Sequence, residues 1–350
     1  MVPRKAIVAG ATGVVGRYVL AHLARSGAWR VVGVSRRRPD VAGDYEHIAV
    51  DLLDGAQART RLGGLADATH VFFAAYVERD DPAALVADNL ALLRNLLDAL
   101  EPAAAGLEHV HLVHGSKWYG SHLGAYRTPA RETDPRHMPP NFYYDQQDHL
   151  SARQAGQRWT WTTSRPHGVC GFSLGSPMNL ILVIAVYASL CKELGLPLDF
   201  PGTAGNYRAI YQCTDSWHLA KAIAWLATTP GCANQPFNVT KGDFIRWENL
   251  WPQFADYFGL ECGRVRTLRL EQAMADKAPV WQRIVARHGL VPHPYEQLVR
   301  WRHGDFVFTP TFDIMSDTSE LRRAGFHDVV DTEAMFFRLF DDYRRERIIP

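Results

Sequence analysis

The sequence has almost no excess of either charge. Its 350 residues include 38 Lys and Arg against 37 Asp and Glu, which gives a formal net charge of +1. A chain balanced in this way has no overall field that would attract nucleic acid or an anionic membrane. The composition therefore predicts neither a nucleic-acid partner nor a membrane partner.

Cysteines and long hydrophobic runs are also scarce. The five cysteines are odd in number and have no Cys-x-x-Cys spacing, so they argue against a disulfide framework or a zinc site. They predict reduced thiols in a cytoplasmic protein. The longest uncharged apolar run, residues 180–191, is about 12 residues long and too short to span a bilayer, so it predicts a buried helix. The cysteines are Cys170, Cys191, Cys213, Cys232 and Cys262.

Short β-branched runs alternate with longer amphipathic stretches in the first half of the chain. This alternation predicts an α/β fold, a Rossmann-type doubly wound parallel sheet covered by helices, over residues 1–166. The predicted strands are Lys5–Ala9, Trp29–Ser35, His47–Val50, His70–Ala75, His109–His114 and Trp159–Arg165. The predicted helices are Val14–Ser26, Asp81–Leu100 and Tyr143–Arg158.

The alternation of strand and helix patterns stops after Pro166. Residues 167–350 lack their own strand–helix–strand repetition and predict a smaller, mostly helical C-terminal substrate lobe, with about 210–240 returning to the Rossmann domain. The segment Gly120–Asn141 is rich in Pro, Gly and charge, and it predicts a loop closing over the site. Further predicted elements are the helices Met178–Leu194 and Trp247–Phe258, a helix from Thr214–Asp215 through Ala227, and a strand at Phe237–Val239.

A glycine pattern directly after the first predicted strand indicates a dinucleotide site. Glycine permits a tight turn there and lets a pyrophosphate approach the first amides of the next helix. The spacing Gly-x-x-Gly-x-x-Gly is typical of short-chain dehydrogenases/reductases, although glycine spacing alone is weak evidence. The predicted contacts at this turn are Gly10, Thr12, Gly13, Val14, Val15 and Gly16.

The end of the second strand favours NADPH over NADH. It reads Ser35-Arg36-Arg37, where an NAD-binding enzyme usually has Asp or Glu about 20 residues after the glycines. Guanidinium groups can bind a 2′-phosphate that an acid would repel. The alternative is a solvated basic turn. The other predicted contacts of NADPH/NADP⁺ are Asp51, Leu52, Ala74, Ala75, Tyr143, Pro166 and Val169.

The usual catalytic residues of such reductases are missing. The fifth strand leads into His114-Gly115-Ser116-Lys117-Trp118-Tyr119-Gly120, with glycine at the position of the expected serine. The next helix opens Asn141-Phe142-Tyr143-Tyr144. Four residues beyond Tyr143 and Tyr144 lie Gln147 and Asp148, so no Tyr-x-x-x-Lys pair is formed.

In these residues the chain resembles the progesterone 5β-reductase/iridoid synthase-like family of atypical extended short-chain dehydrogenases/reductases. The resemblance covers nearly the whole chain and includes the glycine turn, Lys117-Trp118-Tyr119, residues 141–144 and Arg165-Pro166. It implies NADPH-dependent reduction of the carbon–carbon double bond of an enone or enal, with Lys117 and Tyr143 as the catalytic pair. A nearby ammonium is expected to favour the phenolate form of the tyrosine. Taken separately, Lys117 could be solvated and Tyr143 a core aromatic.

Several predicted pocket residues depart from the plant pattern. Tyr76 stands for a tryptophan, Leu123 for a phenylalanine and His303 for an aromatic residue, and Phe142 is a fourth expected wall of the substrate pocket. Steroid or iridoid specificity therefore cannot be transferred from the resemblance. The expected partner is a small enone or enal, with a homodimer as a possible assembly.

Alternative functions remain open at this point. A carbonyl reductase or a sugar-nucleotide epimerase/dehydratase fits the extended architecture, but the missing serine and Tyr-x-x-x-Lys pair count against both. A cofactor sensor without turnover is a third reading. His109, His111 and His114 lack a carboxylate companion and share no single strand face, so no metal site is expected. Trp159 and Trp161 predict strand packing.

Overall fold

The computed structural model of the chain describes residues 4–350. These residues divide into two compact units. The first unit comprises residues 4–167 together with Ser216–Thr240 and Ser316–Asp328. The second comprises Gly168–Asp215, Lys241–Met315 and Val329–Pro350. Nothing in the sequence indicated that the short segment near residue 320 belongs to the first unit.

The first unit is built on a parallel sheet. Within residues 4–350 this sheet has seven strands: β1 (Arg4–Ala9), β2 (Trp29–Ser35), β3 (Glu46–Ala49), β4 (His70–Phe73), β5 (His109–Val113), β6 (Thr160–Arg165) and the strand Gln235–Asn238. From β1 the chain runs outward through β2 and β3 on one side. It then returns to β4, β5, β6 and the last strand on the other side. The direction reverses between β1 and β4, and the carboxyl ends of strands at such a switch point border the usual ligand crevice.

Helices cover this sheet in two groups. They are α1 (Gly16–Ser26), α2 (Gly55–Leu62), α3 (Pro82–Leu100), α4 (Phe142–Gln154), and the helices Ser216–Thr228 and Ser319–Arg323. The helices α2, α3 and α4 pack in succession against one another, whereas α1 packs against Ser216–Thr228. Leucines of α3 join the buried side chains of the strands in the main core, with Trp159 and Trp161. The predicted Rossmann-type doubly wound α/β fold is confirmed.

Several predicted element ends differ from the structure. The helix expected through Arg158 stops at Gln154, because Ala155 leaves the helical conformation and Gly156 has a φ of +80°. The first helix starts at Gly16 instead of Val14, since the glycine turn occupies the preceding residues. The fourth strand ends at Phe73, two residues earlier than expected. Residues 120–141 contain neither helix nor regular strand, as predicted.

The second unit is mostly helical. Its helices are Leu180–Glu193, Ala204–Arg208, Trp247–Phe258, Leu270–Ala273, Ala278–His288, Tyr295–Leu298, Trp301–Phe308 and Thr332–Arg345. Its short strands are Val169–Cys170, Leu198–Phe200, Ile210–Tyr211, Thr214–Asp215, Ile245–Arg246 and Cys262–Val265. The predicted apolar helix is buried from Leu180 to Cys191. None of the helices in residues 4–350 has the length and hydropathy needed to cross a bilayer.

One buried amide holds the segment that follows β4. Asn89 of α3 is fully buried, and its Oδ1 accepts the Val77 N–H at 3.0 Å. Its Nδ2 donates to the Val77 carbonyl and to the Leu85 carbonyl, each at 2.8 Å. The asparagine therefore satisfies both backbone groups of Val77, a residue outside any regular element.

Replacing Asn89 with Ala should destabilise the protein without disturbing the sheet. The change leaves the N–H and carbonyl of Val77 without their partner, and one unsatisfied buried group costs about 1–3 kcal/mol. Chemical denaturation should show a loss in this range. The control is Arg94→Ala on the exposed side of the same helix, which should change the free energy of unfolding by less than about 0.5 kcal/mol. Equal effects of the two changes would contradict the role of Asn89.

Candidate active site

The glycine turn packs against the end of β4. Gly10 has a φ of +79°, and a Cβ at this position would lie 2.5 Å from the Ala74 carbonyl oxygen and 2.6 Å from the Ala75 nitrogen. A Cβ at Gly16 would lie 2.2 Å from the Gly10 carbonyl oxygen. Side chains are therefore excluded from both positions. The structure brings the predicted turn and the predicted pair Ala74 and Ala75 into direct contact.

The amino end of α1 is open to an anion. No side chain in the described part of the protein caps this helix, whose first residue is Gly16. Gly13 N–H bonds the Gly10 carbonyl at 2.9 Å and closes the turn. Thr12 is exposed, Val14 is half-buried and Val15 is buried. The tight glycine turn and the uncapped helix start together have the features of a pyrophosphate cradle.

The turn after β2 presents two exposed arginines. The Ser35 hydroxyl donates to the Arg37 carbonyl at 2.7 Å and thereby shapes the turn. Arg36 and Arg37 are exposed, whereas the Arg38 guanidinium packs over the Tyr45 ring at 5.0 Å. Two guanidinium groups at this turn can bind a phosphate, and the third has a structural contact.

The remaining predicted cofactor contacts lie in separate places. Half-buried Asp51 follows β3 and accepts the Leu53 N–H at 3.0 Å, beside buried Leu52. Pro166 follows β6, and its carbonyl accepts the Ser116 N–H at 3.0 Å. Val169 belongs to the second unit, in a strand paired with Thr214–Asp215.

One asparagine joins the segments of Lys117 and Tyr143. Lys117 lies in the 3₁₀ turn Ser116–Tyr119 after β5, and Tyr143 is the second residue of α4. The Asn141 Nδ2 donates to the Lys117 carbonyl at 2.8 Å, and its Oδ1 accepts the Tyr143 N–H at 3.1 Å. The same side chain therefore caps the helix and holds the lysine turn against it.

The tyrosine hydroxyl takes the place of the missing serine. A Cβ added to Gly115 would lie 3.1 Å from the Tyr143 Oη and 3.4 Å from the Pro166 carbonyl oxygen. Gly115 has a φ of 177°, an extended conformation open to any residue, so the backbone does not require glycine. The space disfavours a side chain, because a Cβ would be tight against the phenol over the end of β5. A serine in the usual position would crowd this hydroxyl.

The surroundings keep Tyr143 a neutral phenol. Burial raises its pKa, and the negative charge of Glu78 raises it further. The expectation that Lys117 would favour the phenolate is therefore wrong for the protein alone, because desolvation opposes the charged form. Burial also lowers the pKa of Lys117, and Glu78 partly opposes that shift. A phenol in this state donates a hydrogen bond.

Two of the four predicted pocket residues adjoin this phenol. The Phe142 ring lies 4.4 Å from the Tyr143 ring and 5.7 Å from the Tyr76 ring. Leu123 lies on the long loop with 56% of its surface exposed. His303 belongs to the second unit, where its ring stacks on Phe306 at 6.3 Å.

The strand histidines have structural partners. His109 bonds the hydroxyls of Thr160 and Thr162, each at 2.8 Å, and His111 bonds those of Thr162 and Ser164 at 2.8 and 3.0 Å. Burial lowers the pKa of His111 to about 3, so the ring is neutral. In residues 4–350 no group of three His, Cys, Asp or Glu side chains is arranged to hold a metal.

Sequence reasoning missed two residues near the phenol. The sequence motif gives Asn141 no separate role, although an asparagine before a helix is a recognisable cap signal. Glu78 gave no signal, since its effect on Tyr143 and Lys117 depends on how the β4 segment and α4 pack.

Comparisons with known proteins identify the family of the chain. Residues 47–350 match the family described as PRISE-like Rossmann-fold domain. The chain is 34% identical to (S)-8-oxocitronellyl enol synthase ISY1 of Nepeta racemosa, over 99% of this chain and 93% of that protein. It is 32% identical to 3-oxo-Delta(4,5)-steroid 5-beta-reductase of Arabidopsis thaliana, again over 99% and 93%.

A solved structure shows that the fold is shared more widely. The UDP-glucose 4-epimerase of Thermus thermophilus, determined in complex with NAD, superposes with a TM-score of 0.67 over 97% of this chain and 99% of that one. Its sequence identity is 17%, so the likeness concerns the fold alone. The family match and the two plant relatives each span most of the chain. The protein therefore belongs to the PRISE-like family, the progesterone 5β-reductase/iridoid synthase-like branch of the short-chain dehydrogenases/reductases.

Proposed function

We propose that the protein is an NADPH-dependent enone reductase, which reduces the carbon–carbon double bond of an α,β-unsaturated ketone or aldehyde. The observation that carries the proposal is the neutral Tyr143 phenol in the space that a catalytic serine would need. The two plant relatives are named for an enol synthase and a steroid 5-beta-reductase. Both names fit chemistry at a conjugated carbonyl.

The residues present fit a phosphorylated dinucleotide. The glycine turn excludes side chains from the start of α1, and exposed Arg36 and Arg37 would hold the 2′-phosphate. Half-buried Asp51 would face the adenine, with Ala74 and Ala75 along the path of the dinucleotide. When bound, NADPH supplies a hydride to the β-carbon of the substrate.

Tyr143 and Lys117 would manage the charge that then develops. Addition at the β-carbon moves negative charge to the substrate carbonyl oxygen as an enolate, and a proton taken up from water at the α-carbon completes the saturated ketone. The Tyr143 hydroxyl donates a hydrogen bond to that oxygen, and one such donor is typically worth about 2.7–4 kcal/mol in the transition state. Lys117 would add a positive charge to the site, and Asn141 links the backbones of the two segments before substrate arrives.

Replacing Tyr143 with Phe should lower kcat for 2-cyclohexen-1-one by about 10²–10³-fold, because the oxyanion loses its donor. NADPH consumption and the saturated ketone would both be measured. NADPH affinity, measured by equilibrium titration, should change little. A rate equal to that of the original protein would refute the assignment, and an allylic alcohol as product would favour the carbonyl-reductase reading.

The neighbouring tyrosine offers a matched control. The Tyr144 hydroxyl donates to the Trp118 carbonyl at 2.6 Å and accepts the His137 N–H at 2.8 Å. Tyr144→Phe should therefore lower Tm while kcat stays within about threefold, since the loss of those hydrogen bonds costs stability and not transition-state binding.

A side chain at position 115 should displace the phenol. Gly115→Ala would place a methyl group 3.1 Å from the Tyr143 Oη. A catalytic group misplaced by about 1 Å can cost roughly a hundredfold in rate. Because a smaller shift of the Tyr143 hydroxyl relieves this contact, we expect kcat to fall about tenfold. Gly124→Ala, where an added Cβ meets nothing within 4 Å although φ is +156°, tests for strain alone. The idea fails if Gly115→Ala leaves kcat unchanged.

The arginine turn should decide between the two nicotinamide coenzymes. Arg36→Ala and Arg37→Ala should together raise KM for NADPH by about tenfold, equivalent to about 1.4 kcal/mol, and leave KM for NADH nearly unchanged. Arg38→Ala is the control, because that guanidinium packs on Tyr45. Parallel loss with both coenzymes would contradict phosphate recognition at this turn.

A further inference from the structure

Two polar residues lie beside the Tyr143 phenol on the segment after β4. The half-buried Tyr76 ring packs on Phe142 at 5.7 Å, and Phe142 packs on Tyr143 at 4.4 Å. The Tyr76 hydroxyl donates to the Glu78 Oε2 at 2.5 Å. The carboxylate of Glu78 acts electrostatically on both Lys117 and Tyr143. Tyr76 and Glu78 therefore adjoin the place where a substrate carbonyl would bind.

The hydrogen bond between them determines what they can offer a ligand. A phenol has one O–H, and that of Tyr76 is directed to Glu78. The Tyr76 oxygen and the second carboxylate oxygen of Glu78 can then only accept hydrogen bonds. Burial and Glu78 both raise the pKa of Tyr76, so the phenol keeps its proton. The pair presents acceptors and one negative charge.

Arg79, the cation next to Glu78 in the sequence, is bonded to another carboxylate. Arg79 directs its Nε to the Asp88 Oδ2 of α3 at 2.6 Å. The side chain of Glu78 is exposed, and its Oε2 accepts the hydrogen bond from Tyr76. Like charges disfavour one another at close range, so a carboxylate here opposes an anion bound beside it.

This carboxylate also has a cost for the proposed reaction. The enolate places negative charge at Tyr143, and Glu78 disfavours negative charge at that phenol. A role of Glu78 in substrate recognition would offset this cost. Recognition of another part of the substrate supplies such a role.

The backbone of this segment is anchored to α3 at Val77. Asn89 binds both the N–H and the carbonyl of Val77, the residue between Tyr76 and Glu78. The backbone that carries both side chains is therefore held from within α3. Groups held in advance recognise a ligand without a further ordering cost.

We propose that Tyr76 and Glu78 form a polar wall of the substrate site that selects enones carrying a hydroxyl group and rejects enones carrying a carboxylate. This rests on the proposed function for the position of the substrate carbonyl at Tyr143. A substrate hydroxyl donates to the acceptors of the polar wall. A substrate carboxylate has no proton to donate and meets the charge of Glu78.

The test compares two ligands of one ring, 4-hydroxymethylcyclohexanone and 4-oxocyclohexane-1-carboxylate, bound to the full chain saturated with NADP⁺. Calorimetry should show the alcohol binding at least about tenfold more tightly than the carboxylate. Glu78→Gln should bring the two affinities to within about threefold. Glu108→Gln, which makes the same charge change at the amino end of β5, should leave the preference as it was.

Turnover with the corresponding 2-cyclohexen-1-ones separates this inference from the proposed function. If no enone is reduced, the proposed function fails. The difference in affinity between the two ligands still tests whether Tyr76 and Glu78 form the polar wall. Equal binding of the two ligands to the original protein, or a preference that survives Glu78→Gln, overturns the inference. The inference is also overturned if Glu78→Gln changes kcat equally for all enones and leaves the affinities of both ligands unchanged. Glu78 would then act only on Lys117 and Tyr143.

Discussion

The side-chain amide of Asn141 is the contact on which the proposed chemistry depends. Lys117 and Tyr143 come from a turn after β5 and from the start of α4, with a long irregular loop between them. One amide accepts from the tyrosine backbone and donates to the lysine carbonyl, so it bridges the two segments. The Tyr144 hydroxyl, which donates to the Trp118 carbonyl, adds a second bond between the same segments. Fixing their relative position before binding removes an ordering cost from the reaction.

The absence of the usual serine follows from the same arrangement. The phenol reaches over the end of β5 into space that a side chain at position 115 would fill. Loss of the serine is therefore linked to the position of Tyr143. The surroundings then hold the phenol neutral through burial and through Glu78. A neutral donor suits an oxygen that gains charge during the reaction, whereas a phenolate would oppose it.

The fold was predictable because its signals are local. Alternation of β-branched and amphipathic runs indicated the Rossmann sheet, and the glycine spacing located its dinucleotide turn. Lys117 and Tyr143 were paired only by resemblance to a family motif. The bridge through Asn141, the crowding at Gly115 and the raised pKa of Tyr143 could not be predicted, because each depends on segments distant in sequence meeting in the fold. Their effects come from tertiary packing, which local patterns do not contain.

Asn89 anchors the segment after β4 by hydrogen bonds to the main chain of Val77, not to the side chains that would face a ligand. Asn89 holds that residue through main-chain groups alone, and every amino acid except proline offers the same two groups. Mutation at positions 76 and 78 can therefore alter the chemistry facing a ligand while the supporting loop keeps its course. Substitutions at these two positions would then change the proposed preference for a ligand and leave the architecture behind them intact.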